Sequence, residues 1–288
     1  MQRLTFLLFT FAVMSFPHGA YCQYPPIGIL PMEYNPSFAG SVGNSRIVSN
    51  LSYFNQHQSD NKGQSYLIDV SYDKYFPKIR SGIGIITQGS YNAYNILRST
   101  IKYEHWSSSI ELAIAPKFSM KGKYTFSPSL SIGYWNSYRN LDNTKTSIQD
   151  GFSSKFGLLF NATQYYIGYA IEYYYGNSDA ASAFQFGYTF QKSNDSKFSF
   201  TPQFAFPILI NSGIDVYWPS YNLSFRYDSF ILGAISQFGY SYPTGFQAGW
   251  QNKGWRILFS NDFKDSYKAY LTLRYIFNHD KKSIHVFD

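Results

Sequence analysis

The sequence predicts an all-β fold: a transmembrane antiparallel β-barrel of about 14 strands, each of roughly 10 tilted residues. Three observations carry that expectation. Aromatic residues make up 21% of the 288-residue chain, with 28 Tyr and 27 Phe, while charged residues make up only 14%. Soluble domains usually hold about a quarter charged residues, so an ordinary hydrated surface is excluded. The mean hydropathy of −0.27 is too polar for a bundle of membrane helices. A barrel reconciles the two, because only alternate residues of each strand need be apolar. Beyond the leader, no apolar run approaches the ~18 residues of a spanning helix, and hydrophobicity alternates with period two.

The first element is an export leader. Arg3 is the only charge before Glu33, and Leu4 to Phe16 form an apolar run of 13 residues, the length of a signal-peptide core. Ala20 and Cys22 fit the small positions before a cleavage site, so the mature chain is expected to begin at Gln23. Acylation of Cys22 is the alternative; the bulky Tyr21 disfavours it. Cys22 is the only cysteine, so a chain cleaved after it has neither a disulfide framework nor a cysteine metal site. Losing Arg3 lowers the formal net charge of +7 by one, and the remaining excess is scattered, with no footprint for nucleic acid. The expected organisation is a signal peptide over 1–22, an N-terminal periplasmic segment over 23–45, a barrel over 46–278 and a polar tail over 279–288, in the outer membrane.

The strands follow in order. In Ile110 to Lys121, Ile110, Leu112, Ile114, Pro116, Phe118 and Met120 share one face opposite Glu111, Ala113, Ala115, Lys117, Ser119 and Lys121. In Ala183 to Gln191, Phe184, Phe186, Tyr188 and Phe190 oppose Gln185, Gly187, Thr189 and Gln191. Phe198 to Phe206, Ile167 to Tyr175, Leu223 to Tyr227 and Leu271 to Phe277 repeat the pattern. Turn formers separate the runs, among them Asp60-Asn61-Lys62-Gly63, Gly176-Asn177-Ser178-Asp179 and Asn252-Lys253-Gly254. Residues 24–45, 136–151 and 207–219 read as the longest irregular stretches, the first periplasmic and at least one of the others exterior. Leu273, Tyr275 and Phe277 supply the alternating aromatic end common in outer-membrane strands.

A secreted carbohydrate-binding β-sandwich would alternate too. Its second face would meet water and carry many charges; here that face is rich in Gly, Ala, Ser, Thr and Gln, with charges placed singly, as suits a crowded barrel interior. Tyr and Trp near strand ends, such as Tyr173, Tyr174, Tyr175, Tyr217, Trp218, Trp250 and Trp255, fit headgroup girdles. Nothing points to an enzyme or a cofactor. His57, His105, His279 and His285 lack the spacing of a zinc helix, and no serine sits in a G-x-S-x-G flank. The glycines of Ser81-Gly82-Ile83-Gly84 lack the Lys-[Ser/Thr] of a phosphate loop and suit close packing in a barrel wall.

The segment Glu33 to Ser41 reads EYNPSFAGS. Asn35-Pro36 starts a turn, and Gly40 permits a left-handed backbone ahead of the first strand, so the segment is expected to fold tightly against the periplasmic mouth. Asn35, Pro36, Phe38, Ala39, Gly40 and Ser41 resemble the L-N-P-A-[YF]-A-G-S signature that opens the PorP/SprF family, outer-membrane proteins of the type IX secretion system in Bacteroidota. Gly82-Ile83-Gly84 and Ile167-Gly168-Tyr169 resemble later glycine patterns of that family. At the family's Arg-x-Gln-Trp position, Phe54-Asn55-Gln56-His57 keeps only Gln56. The resemblance implies a barrel that docks a secreted cargo protein with a type IX C-terminal sorting domain, helps secrete or anchor it at the cell surface, and in some members links it to periplasmic components. A passive channel or a transporter of hydrophobic molecules is the competing expectation.

Overall fold

The computed structural model describes residues 31–58, 61–96, 102–120, 123–141, 144–175, 180–191, 196–210, 214–216, 220–236, 244–262 and 266–277. The leader, residues 23–30, the tail over 279–288, and Tyr217 and Trp218 lie outside them. A short helix, α1 (Pro31–Tyr34), and a 3-10 turn (Pro36–Phe38) precede the strands. The strands are β1 (Arg46–Gln58), β2 (Asn61–Phe76), β3 (Ser81–Ile96), β4 (Lys102–Pro116), β5 (Phe118–Met120), β6 (Tyr124–Leu141), β7 (Thr144–Ala162) and β8 (Tyr165–Tyr174) in the first half. The second half holds β9 (Ala180–Tyr188), β10 (Phe198–Ile210), β11 (Ile214–Val216), β12 (Ser220–Tyr227), β13 (Phe230–Ser236), β14 (Gly245–Asn252), β15 (Trp255–Asp262) and β16 (Ser266–Ile276).

All pairings are antiparallel between neighbours, and β1 pairs with β16 while β9 pairs with β10, so the sheet closes on itself. Short β5 continues β4 along β6, and short β11 hangs on β10, which leaves a closed wall of 14 strands. Closure follows from the solvent: in hydrocarbon every strand N–H and C=O needs a partner, and only a sheet without edges supplies one.

The alternation read from the sequence sets which face meets lipid. Leu112 (60% exposed) and Ile132 (58%) sit opposite each other on β4 and β6, pointing outward, while Glu111 and Gly133 between them point in. On β9, Phe184 points outward, and Gln185 is buried in the lumen. Tyr53, Tyr66, Tyr91, Trp106 and Tyr138 lie in direct register across β1, β2, β3, β4 and β6. Their rings approach one another at 5.2, 6.5 and 5.1 Å for the first three neighbouring pairs. The next outward row is Asn55, Gln64, Ala93, Glu104 and Asn140. An abrupt step from rings to amides and a carboxylate marks the headgroup level on that side of the barrel. A second aromatic group, Tyr188, Phe190, Phe200 and Phe225, lies near the opposite end.

The two ends differ. Turns such as 77–80, 163–164, 228–229 and 253–254 join strands at the end where β1 begins and β16 finishes. At the other end the wall is uneven: β6 has 18 residues and β7 has 19, whereas β12 has 8 and β13 has 7. About 10 residues suffice to cross, and β6 and β7 continue past the aromatic row, to Leu141 and Thr144 beyond the Tyr138–Ile148 pair. Here the structure corrects the sequence reading of 136–151 as irregular: β6 runs to Leu141 and β7 starts at Thr144, with a register shift between Tyr138 and Asn140. Above the lipid level both strand faces meet polar surroundings, so the alternation that marks a strand in sequence fades while the hydrogen-bonded ladder continues. Likewise 207–210 belongs to β10 and 214–216 forms β11.

Depth within the apolar band is testable. Leu112→Arg is expected to cost about 2–4 kcal/mol, and Tyr227→Arg at the rim about 0–1 kcal/mol, as measured by denaturant-dependent folding into lipid vesicles. Equal tolerance of both would mean that Leu112 does not face lipid.

Candidate functional site

The segment ahead of β1 enters the barrel. Met32, Asn35, Ser37, Phe38, Ala39 and Val42 are all buried inside it, so the turn predicted to lie against the mouth is instead a plug within the lumen. Its local shape follows from its residues. Asn35, extended at φ −155°, caps the 3-10 turn by accepting the Ser37 N–H at 2.9 Å, and Pro36 takes the first turn position, where no N–H is required. Gly40, at φ +65°, turns the chain back towards the wall, and Gly43, at φ +74°, turns it into β1.

The polar groups that fix the turn find wall partners. The Asn35 amide Nδ2 donates to the carbonyls of Leu158 and Tyr169 at 3.1 and 3.3 Å, which face each other across β7 and β8. Ser37 Oγ lies 2.7 Å from Ser129 Oγ on β6, and Lys117 Nζ donates to the Ser37 carbonyl at 2.6 Å. The Asp73 carboxylate on β2 accepts the Gly40 N–H at 2.7 Å through one oxygen and Arg46 Nε at 2.8 Å through the other. Arg46 also donates to the Phe38 carbonyl at 3.3 Å. Apolar contacts complete the seat: the Phe38 ring meets Tyr166 edge to face at 5.3 Å, within a buried group containing Met32, Ala39, Ile86, Ala113, Ala115 and Leu159.

The wall glycines make room for the plug. A Cβ on Gly82 would overlap the Ala39 carbonyl oxygen, one on Gly84 would lie 2.6 Å from Met32 Cε, and one on Gly157 would overlap Asn35 Oδ1. The pattern Gly82-Ile83-Gly84 thus packs as expected of wall glycines, and what it packs against is the motif itself. Of the motif residues, the structure brings Asn35, Pro36, Phe38, Ala39 and Gly40 together against β2, β3, β7 and β8, whereas Ser41 bonds through its N–H to the Phe38 carbonyl inside the turn. Arg46, Asp73, Lys117 and Gly157 complete the seat from outside the motif. In the sequence, Arg46, Asp73 and Lys117 stand out only as lone charges on small or polar strand faces.

Above the plug lies a cavity of about 550 Å³, opening along the tall side of the barrel and lined by serine, amide and charged side chains together with Phe54, Leu67, Ile86 and Trp135. Its floor is charged. Lys155 Nζ donates to the Glu33 carbonyl at 2.9 Å and pairs with Glu111 at 3.3 Å and Glu172 at 3.7 Å. Gln88 Nε2 donates to Glu33 Oε1 at 2.8 Å, and Ser109 Oγ donates to Gln88 Oε1 at 3.2 Å. Burial, and secondarily the Asp69 charge, push the Glu33 carboxyl up to about 8, against the opposing pull of Lys155 and Gln88. The far half of the lumen is filled by the barrel's own side chains, with Val48, Phe54, Ile231, Leu258 and Tyr270 packed together and Gln203, Asn222 and Gln247 joined in a hydrogen-bonded row.

No family model matches the chain, and no curated protein matches it in sequence. Solved barrels do match in shape. The Pseudomonas putida toluene transporter TodX superposes with a TM-score of 0.51 at 11% identity, over 85% of this chain and 93% of that one. The transport unit of the autotransporter AIDA-I from Escherichia coli gives 0.48 at 10% identity, over 88% and 100%. The translocator domain of NalP from Neisseria meningitidis gives 0.43 at 10%, over 81% and 88%. At these identities the likeness is one of fold: the chain is a β-barrel of the outer-membrane type.

Two outcomes test the plug. Gly82→Ala is expected to expel it, whereas Gly89→Ala, whose added methyl meets only Ile68 at 3.4 Å, leaves it seated; protease access to residues 31–43 in reconstituted barrels reads the difference. The seat also depends on pH. Because the Glu33 carboxyl is raised from 4.5 to about 8 on docking, the docked plug binds the extra proton, so its stability is full below about pH 4.5 and falls as pH rises to about 8. Asp69, Lys155, Glu111 and Glu172 face Glu33 in this range. Glu33→Gln is expected to flatten the pH dependence of protease access; an unchanged slope would place its source elsewhere.

Proposed function

We propose that this protein is a non-enzymatic outer-membrane barrel of a type IX secretion system, which docks a secreted cargo protein bearing a C-terminal sorting domain and helps secrete or anchor it at the cell surface. The reading starts from the PorP/SprF resemblance of Asn35 to Ser41. The observation that supports it best is what those residues do: they are consumed in stoppering one end of the lumen, held by Asp73, Arg46 and Lys117 and seated on Gly82 and Gly157. A barrel with a built-in stopper and a raised polar wall at its other end is organised to present a surface, with free diffusion blocked at the plug. The tall hairpins of β1 to β7 are then the docking face for cargo, and the terminus-bearing end faces the periplasm, where further components of the system would be met.

The likeness to TodX in fold supports a second reading, a channel or transporter of hydrophobic molecules. The charged floor of the cavity, where Glu33, Glu111, Lys155 and Glu172 meet, argues against an apolar cargo at that point. The readings separate by experiment. Replacing residues 139–146 at the β6–β7 tip with a two-residue turn is expected to leave an inserted, heat-modifiable barrel that no longer co-purifies with cargo or displays it. Undiminished display would overturn the docking face. Ion conductance or hydrocarbon uptake by reconstituted barrel alone would establish the second reading instead.

A further inference from the structure

The cavity above the plug is built with more acceptors than its own chain uses. Lys155 is the one cation reaching its floor among the described residues, and three glutamates surround it. After Lys155 and Gln88 have donated, Glu33 Oε2 and Glu111 Oε1 are left without hydrogen-bond partners, although both atoms are shielded from bulk water. Ser65, independently, is only 2% exposed and lines the same cavity from β2 with its Oγ unpartnered. An orphaned buried polar atom costs about 1–3 kcal/mol, so several around one space call for a partner that the chain does not supply. Charge gives the sign: Glu111 and Glu172 outnumber Lys155 even while Glu33 holds its proton, and Asp69 adds to the field at Glu33.

We propose that this cavity binds an organic cation, an ammonium or guanidinium group, that donates to Glu33, Glu111 and Ser65 beside Lys155. No group of three His, Cys, Asp or Glu among the described residues is placed to hold a metal ion, and about 550 Å³ exceeds what a bare ion fills. It suits a basic side chain with its adjoining backbone, or a free polyamine. The first source rests on the docking function proposed above and makes the cavity the point where a lysine or arginine of the docked polypeptide is read. The raised carboxyl of Glu33 fits the same account, because an arriving cation displaces its proton; binding therefore tightens from about pH 6 to about pH 8.

Titration calorimetry on the full chain in detergent tests this. The probes are putrescine against 1,4-butanediol, its uncharged counterpart, and Gly-Arg-Gly against Gly-citrulline-Gly. Saturable binding of the charged member of either pair, absent for the neutral one and tighter at the higher pH, is expected. Binding of the peptide alone identifies a polypeptide side chain as the source, and binding of putrescine alone a free amine. Glu111→Gln is expected to weaken binding about tenfold or more, and Ser65→Ala, which leaves every charge in place, about threefold to tenfold. The proposal is overturned if neither charged probe binds, if 1,4-butanediol binds as well as putrescine, or if both variants bind as the parent does. Cargo co-purification scored on the same variants keeps the two questions apart: cargo lost at the β6–β7 tip with amine binding absent sinks only the cavity, and amine binding without cargo sinks only the docking reading.

Discussion

The carboxylate of Asp73 joins the plug to the wall. It sits on β2, holds the N–H of Gly40 with one oxygen and the guanidinium of Arg46 with the other, and both side chains of the ion pair are almost wholly buried, at 3% and 1% exposure. Two charges withdrawn this far from water are costly unless their remaining hydrogen-bonding groups are met. They are met here by the plug's own backbone: the Gly40 N–H on one side and the Phe38 carbonyl on the other. The pair therefore exacts a particular turn ahead of β1. A plug leaving the lumen would keep the pair but take one hydrogen bond from each charge, a loss of about 1.5–3 kcal/mol apiece. Everything else about the lumen follows from that fixed turn.

One consequence is volumetric. A 14-stranded barrel encloses more space than its inward side chains fill unaided, and this chain divides the surplus. The β2 to β8 wall carries small residues, Gly82, Gly84, Ala113, Ala115, Gly157 and Ala170, where the plug lies. The opposite wall carries Val48, Ile231, Leu258 and Tyr270, large enough to pack without it. Side-chain size around the barrel thus records where the plug sits, in the way that a small-residue groove on any packed surface records its ligand.

A second consequence is electrostatic. By bringing Glu33 into the lumen, the plug completes a charged layer that the strands only begin: Glu111 from β4, Lys155 from β7 and Glu172 from β8 meet at its upper surface. Polar groups there stand in a medium far less screening than water, so each unpaired oxygen matters more than it would on an exposed loop. The stopper therefore does more than obstruct. It forms the floor of the cavity above it and sets the charge that a ligand entering from the tall side would meet.

The sequence by itself determined the wall. Period-two alternation, aromatic abundance and scarce charge required strands with one face in lipid, and the run Phe184-Gln185-Phe186 or Leu112-Ala113-Ile114 assigns each residue its side, because the pleat alternates strictly and lipid tolerates no error of one. It also marked Asn35 to Ser41 as a turn, since asparagine, proline and glycine act locally. Only the tertiary structure decided where that turn goes, what the wall glycines are for, and which lone charges meet. Asp73 is 33 residues from Gly40, and Asn35 lies 134 residues from Tyr169; contacts at such separations depend on barrel closure and strand register, which no local pattern encodes. The strand ends above the bilayer were hidden for a related reason. Once lipid no longer selects one face, the ladder of backbone hydrogen bonds persists while its signature in the side chains disappears.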